Sequence, residues 1–391
     1  MGILQVAWTH TKFMIARSHL GGRNVLLAPW FGLLVFGSIH LEAFETARDA
    51  YGGWDGVKGS KTGFYHTEKI GGKWWIITPE GNGFLSKGVN SVHPPHAPEF
   101  SKEERGKAAG MMLSWGMNTG GCWSDPALAG NGIAMTLRCK ISGAHRDAFP
   151  DVFDPNWKNS VSQAALAECT PHKNDPWILG YFTDNELPWK HEEESGAFVE
   201  EFLKLPPESP GRKEAGAARA GGAAAMKAFR ERVADLYFRT TADAIRAADP
   251  NHMILGCRFA GRPPLGVVAK MAGHADVISI NNYSDHPPLP LLRDMSRAAD
   301  MPLMVTEFSF KAPAPGLETN GSGPAKRTQA ERATAFEDYA GQLLREDFCV
   351  GYHWFKYAEN WQGVLQENGT PWPELTKAFT EINATAESRH R

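Results

Sequence analysis

Two glutamates occupy the same local setting at distant points of the sequence. "GYFTDNELPW" (Gly180–Trp189) places Glu186, with the amide Asn185 before it, just beyond an apolar run, and "PLMVTEFS" (Pro302–Ser309) ends another such run on Glu307. A lone acid there can be structural, accepting hydrogen bonds from loop amides or pairing with a cation such as Arg258. Two of them facing each other across one cleft are the minimum equipment for cleaving a glycosidic bond. One must be protonated to serve the leaving oxygen and the other ionised to attack the anomeric carbon, so their surroundings must separate their titrations. Asn185 suits a sugar 2-hydroxyl, where a hydrogen bond can strengthen in the transition state. Either glutamate alone is read equally well as structural. The recurrence of the pattern favours catalysis.

Such a pair needs a fold that unites the two segments. Eight strand-like runs begin at Phe84, Met117, Gly132, Trp177, His252, Asp276, Pro302 and Cys349, and helical patterns separate most of them. This order predicts a (β/α)8 TIM barrel, an α/β fold in which chemistry sits at the C-terminal ends of the strands. Glu186 then follows the fourth strand and Glu307 closes the seventh, at one mouth. An open doubly wound sheet is the alternative, but it calls for an early glycine-rich phosphate loop that the sequence lacks. Residues 63–84, "GFYHTEKIGGKWWIITPEGNGF", read as a β-hairpin turning at Gly-Gly. The expected organisation is an N-terminal extension or signal segment over 1–45 and a catalytic barrel, hairpin included, over 46–391. Lys204–Ala225 reads as a low-complexity, mobile surface connection, and Lys311–Arg327 as a loop overhanging the C-terminal face.

Other residues fall at the same mouth. Asn90, His93 and His96 follow the first strand, Trp123 the second and Arg258 the fifth, where polar groups can fix sugar hydroxyls and an indole can offer an apolar face. Asn90, His93, Trp123 and Arg258 are therefore candidate substrate-binding residues. The "HPPH" spacing (His93–His96) suggests a metal, but its prolines break the helix that aligns such ligands and no third ligand is evident, so no metal and no cofactor is expected. "NGSGPAKRT" lacks the Gly-Lys-Ser/Thr ending of a phosphate loop. Asp184 reads as a brace for the strand-four loop, and Lys356 and Glu359 as substrate ligands or as each other's partners.

These motifs resemble those of the retaining (β/α)8 glycoside hydrolases of clan A, which carry an Asn-Glu acid/base after strand four and a nucleophilic glutamate at strand seven. Within that clan "GYFTDNELPW" is similar to the "GYFVDNE" signature of the β-agarases of glycoside hydrolase family 50. "GGKWWIITPEGNGFLSKGVNSV" and "WGMNTGGCWSD" resemble the first- and second-strand segments of the same group, and the likeness runs from about Phe64 to about Phe379. It implies that Glu186 is the acid/base and Glu307 the nucleophile. Asn185 would bind the 2-hydroxyl, Tyr283 at the sixth strand would orient the nucleophile, and Trp354 on the eighth would floor the cleavage subsite. Read from the residues alone, Tyr283 could be a core residue and Trp354 a barrel plug. Those agarases typically carry a sizeable β-domain before the barrel, for which this sequence has room only for a short strand segment; that bears on substrate more than on mechanism.

Composition sets the outer limits. With 391 residues, 42% hydrophobic and 22% charged, the chain is that of a soluble globular protein, and its net charge of −3 argues against a general nucleic-acid binder. Thirteen tryptophans suit a sugar cleft as well as a large core. The five cysteines form no CxxC pair and read as buried small hydrophobes. "NVLLAPWFGLLVFGSI" (Asn24–Ile39), preceded by Lys12, Arg17 and Arg23, is too short to favour a spanning helix. It reads as the apolar part of a signal peptide, implying a secreted or periplasmic protein, or as an extension of a cytoplasmic one. The expected partner is a carbohydrate, with no nucleic acid and no membrane; oligomeric state is not legible. The expected activity is retaining hydrolysis of a β-galactoside-containing, agarose-like glycan. Another β-linked glycan such as β-glucan or β-mannan, a non-catalytic carbohydrate-binding barrel and a phosphate-binding barrel enzyme stay open beside it.

Overall fold

The computed structural model describes residues 47–93, 100–143 and 149–391. The expected signal or extension segment, and His96, lie outside the described residues.

A small antiparallel sheet precedes the main one. Its strands are β1 (Trp54–Lys58), β2 (His66–Ile70), β3 (Lys73–Ile77) and β4 (Asn82–Phe84), in the order β1-β4-β3-β2. β2 and β3 pair from His66 opposite Ile77 to Ile70 opposite Lys73. Gly71 and Gly72 turn the chain at φ of 62° and 86°, a backbone that glycine adopts without a Cβ penalty.

The main sheet has nine parallel strands: β5 (Ser86–Val89), β6 (Thr119–Gly120), β7 (Ala134–Arg138), β8 (Ile178–Phe182), β9 (Met253–Ile254), β10 (Phe259–Ala260), β11 (Ile278–Asn281), β12 (Leu303–Phe308) and β13 (Cys349–Trp354). Their order is β10-β11-β12-β13-β5-β6-β7-β8-β9. The two edges, β9 and β10, are neighbours in sequence, separated only by Leu255–Arg258. One stretch of chain therefore pairs with β8 on one side and β11 on the other. Asp276 N also donates to Ile254 O (2.9 Å) across the same junction. The sheet curls into a TIM-like arrangement, and each of the eight predicted runs supplies strand residues to it.

Helices follow most strands: α1 (Lys102–Ser114) after β5, α2 (Pro155–Cys169) after β7, and α3 (Ser195–Leu203), α4 (Pro210–Ala220) and α5 (Gly222–Ala248) after β8. Then come α6 (Leu265–Ala269), α7 (Leu289–Ala299), α8 (Gln329–Leu343), α9 (Pro373–Ala384) and α10 (Ala386–His390). Local sequence sets their starts. Ser101 and Glu104 cap each other's backbone at α1, and Asp154 caps α2 ahead of a proline in its first turn. The expected loop over Lys204–Ala225 is largely helical, formed by α4 and the first turn of α5. Its repetitive composition is alanine-rich, and alanine is the strongest helix former; Pro210 fits the first turn, and Gly222 at φ 79° reverses the chain between the two helices.

The core has two parts. Tyr65, just before β2, and Ile76 and Phe84 of the small sheet join Leu179, Met253, Met304 and Val350 from the main strands in an inner cluster. Around it, strand side chains such as Phe308 and Trp354 meet Phe336 on α8 and Phe379 on α9. All five cysteines are free and buried. No described helix is long and apolar enough to cross a membrane.

Candidate active site

Glu307 lies in β12, and three donors converge on its carboxylate. Arg258 Nη2 and Trp123 Nε1 (3.4 Å) donate to Oε1, and the Tyr283 hydroxyl donates to Oε2 (2.6 Å). These come from the strand ends or loops after β6, before β10 and after β11, so only the curled sheet brings them together. The group is nearly closed to solvent: Glu307 is 5% exposed and Arg258 0%. Burial drives the Tyr283 phenol well above its ordinary value, and the Glu307 charge adds to the rise, so the hydroxyl remains a donor. Burial pulls the Arg258 guanidinium down, but the acidic groups around it, Cys122 and Glu307 foremost, outweigh that and leave it raised and charged.

Glu186 stands half-buried on the loop after β8. Its backbone N–H donates to Arg258 O (3.1 Å), and its Oε1 accepts from Asn281 Nδ2 (2.8 Å). Asn185 Oδ1 accepts from Arg258 Nε (2.8 Å) and, more loosely, from Asn281 Nδ2 (3.4 Å). Asn281 is itself held by Thr306, whose hydroxyl donates to its Oδ1 (2.8 Å). Thr306 adjoins Glu307, so both glutamates belong to one hydrogen-bond network with Arg258 at its centre. The ion pair with Arg258, read from sequence as an alternative to catalysis, forms with Glu307 within this network. Trp123, Glu186 and Arg258 all have positive φ (70°, 55° and 54°). A non-glycine residue held there costs of order 1–3 kcal/mol, and such strain gathers at functional sites.

Two expected residues sit elsewhere. Trp354 is 0% exposed; its indole N–H donates to Gln362 O (3.0 Å), and its ring lies 5.6 Å from Phe379 and 6.0 Å from Phe336, in the layer between sheet and helices. Strand alternation explains this: Trp354 shares a face with Tyr352, which bonds Asn383 on α9, whereas His353 and Phe355 point the other way. Phe355, not Trp354, is the aromatic of this strand end that meets the site, edge-on to Tyr283 at 6.3 Å. Asn90 is also fully buried, and its amide donates to Thr306 O (3.0 Å) and Trp354 O (3.2 Å), bracing β12 and β13 beneath the site. It faces the strands because its two N–H donors find backbone carbonyls there, Thr306 O and the Trp354 O that its own backbone N–H also meets. His93 is half-buried and takes no part in these hydrogen bonds. Lys356 and Glu359 pair with each other at 2.6 Å. Among the described residues no cluster of His, Cys, Asp or Glu could hold a metal.

β-Agarase B of Vibrio sp. (strain JT0107) is 25% identical to this chain over 86% of it and 50% of its own length. This is a β-agarase-like chain. Among solved structures, an exo-β-agarase superposes on it with a TM-score of 0.74 at 21% identity, covering 89% of this chain and 68% of that one. BpGH50 superposes with a TM-score of 0.76 at 21% identity, covering 88% and 86%. No family model matches. The chain spans about half the length of the curated relatives it matches.

Three residues of this candidate site escape a reading by motif. Asn281 and Phe355 each lie beside a residue that draws attention first, Tyr283 and Trp354. Arg138 closes an apolar strand run just as Glu307 does, and that cue was there to be used. Its guanidinium stacks on Trp123 at 3.9 Å.

Proposed function

We propose that the chain is a retaining β-glycoside hydrolase, built on a closed (β/α)8 barrel, that cleaves a β-galactoside-containing glycan of the agarose type by double displacement. The observation that carries this reading is the single network that holds Glu186 and Glu307 through Arg258 and Asn281. The β-agarase relatives supply the substrate class.

Glu307 is the nucleophile. Three donors converge on its carboxylate, so they address it as an anion and aim it. Glu186 protonates the leaving oxygen as Glu307 attacks the anomeric carbon. Water, deprotonated by Glu186, then releases the sugar from Glu307 with the β configuration retained. Asn185, its carbonyl held by Arg258 Nε, keeps its NH2 for the sugar 2-hydroxyl.

The test separates the two half-reactions. Glu307→Gln loses glycosylation for every leaving group. Glu186→Gln still glycosylates from a nitrophenyl galactoside, which needs little protonation, and the covalent intermediate accumulates on Glu307. Azide, needing no general base, restores turnover of Glu186→Gln and gives the β-glycosyl azide, read by NMR and intact-protein mass. An α-product, or label on another carboxylate, overturns the assignment.

A further inference from the structure

Arg138 ends β7 at the mouth, and its guanidinium lies 3.9 Å above the ring of Trp123. Trp123 is 42% exposed, and its indole N–H reaches Glu307 Oε1. Arg138 thus stands one side chain away from the nucleophile. Burial pulls it below the ordinary arginine value, so its charge is partly stripped of water. Stacking satisfies the face of a guanidinium, but its N–H donors lie in the plane of the group and stay available. Among the described residues Arg138 has no hydrogen-bond or ion-pair partner. Asp184 is the nearby acid that could have paired with it, but it takes the Tyr237 hydroxyl at 2.6 Å instead. The charge of Arg258 is already committed to Glu307. A half-buried cation left unpaired is unfavourable unless a ligand completes it.

We propose that Arg138 and Trp123 form a subsite beside the nucleophile that takes an anionic substituent, a sulfate ester or a carboxylate, on the sugar unit bound there. The indole offers the sugar ring an apolar face, and the guanidinium edge offers a fork of donors matched to two oxygens of an oxyanion. A neutral hydroxyl would use one donor and leave the charge uncompensated. The proposal deepens the glycosidase reading, because the subsite is defined by its distance from Glu307, yet it can be tested by binding alone.

Calorimetry of the full chain with three galacto-oligosaccharides of equal length (neutral, O-sulfated and uronate-bearing) provides that test. The wild type binds one or both anionic probes more tightly than the neutral one, and whichever binds names the substituent. In Arg138→Gln that preference falls by about tenfold to a hundredfold, the range of a charge-assisted hydrogen bond. Arg138→Lys retains the charge without the fork and falls between the two. Trp123→Ala weakens all three probes alike. A wild type with no anionic preference overturns the proposal even if Arg138→Gln does not fold. So does an Arg138→Gln variant that loses the neutral and anionic probes equally. A chain that binds the anionic probes but hydrolyses no β-galactoside refutes the glycosidase reading and leaves the subsite standing.

Discussion

Arg258 uses three parts of itself at once. Its carbonyl takes the Glu186 backbone N–H, Nε holds Asn185, and Nη2 meets Glu307. Asn281 does the complementary work on the other side. With its Oδ1 fixed by Thr306, its NH2 must face Glu186 Oε1, and an amide nitrogen can only donate. Glu186 Oε1 is thereby kept as an acceptor, and in the proposed mechanism Oε2 is the oxygen that serves the leaving group. Asn281→Leu keeps the volume and removes the donor. Its kcat/KM should fall about tenfold for an unactivated oligosaccharide, equivalent to one hydrogen bond of ~1–1.5 kcal/mol, and much less for a nitrophenyl glycoside that needs little acid catalysis. Rates that fall equally for both substrates would show that Asn281 only supports the fold. Carboxylates are legible one at a time because a charged residue closing an apolar run is conspicuous. The amide that orients one of them is not, since Asn281 in "SINNYSD" looks like any turn residue until the strand end is built.

At the scale of elements, α10 fastens the face of the sheet opposite the site. Its Glu387 meets Lys87 on β5 at 2.7 Å and Arg48 at 3.1 Å, and His390 Nε2 bonds Trp74 O (2.9 Å). Lys87 is only 2% exposed, so its ammonium depends on this partner. Removing one half of a buried pair is costlier than replacing both, because the remaining charge keeps its desolvation penalty. Glu387→Gln should therefore lose ~3–5 kcal/mol in denaturant unfolding, and Lys87→Met combined with Glu387→Leu should recover much of it. Elements of this kind were read unevenly. Strands announced themselves, because short apolar β-rich runs must be buried. Low complexity conceals the helices of Lys204–Ala225, because a repetitive composition reads as a loop although alanine runs favour helix. The resemblance implies a subsite floor at Trp354, whereas the structure buries it as a plug, the alternative the residues themselves allow, because a continuous apolar run conceals which face each side chain takes.

For the whole molecule, three buried groups set the pH range of stability. Glu387 is held down to about 2, burial opposing but its Lys87 and Arg48 partners prevailing, and burial followed by the Arg258 charge holds His353 down to about 3. Both bind their protons more readily when unfolded, so stability is lost as pH falls from 4.5 to 2 for Glu387 and from 6.5 to 3 for His353. Asp184 works in the opposite sense. Burial raises it to about 7, against the Tyr237 hydrogen bond, so its contribution is fully present below 3.8 and lost as pH rises towards 7. Between pH 3.8 and 6.5 the opposing slopes of His353 and Asp184 offset each other, so denaturant midpoints should hold a plateau there, fall steeply below about pH 4 and decline again from pH 6.5 towards 7. Asp184→Asn, which cannot ionise, should turn the plateau into a rise up to pH 6.5, set by His353, with no decline above it and the acid side kept. A variant that still declines from pH 6.5 towards 7 would remove Asp184 from the account.

The stretch from Met253 to Ala260 joins the two edges of the sheet and also supplies the guanidinium at the centre of the site. Most loops at the mouth belong to one strand each and can lengthen, shorten or change composition at local expense. This stretch cannot, because a change that shifts its backbone parts the sheet and the glutamates together. On the proposed function, divergence towards new glycans is thereby channelled into the surroundings of Trp123, Arg138 and Phe355. The placing of the two glutamates is inherited with the joining of the sheet's two edges.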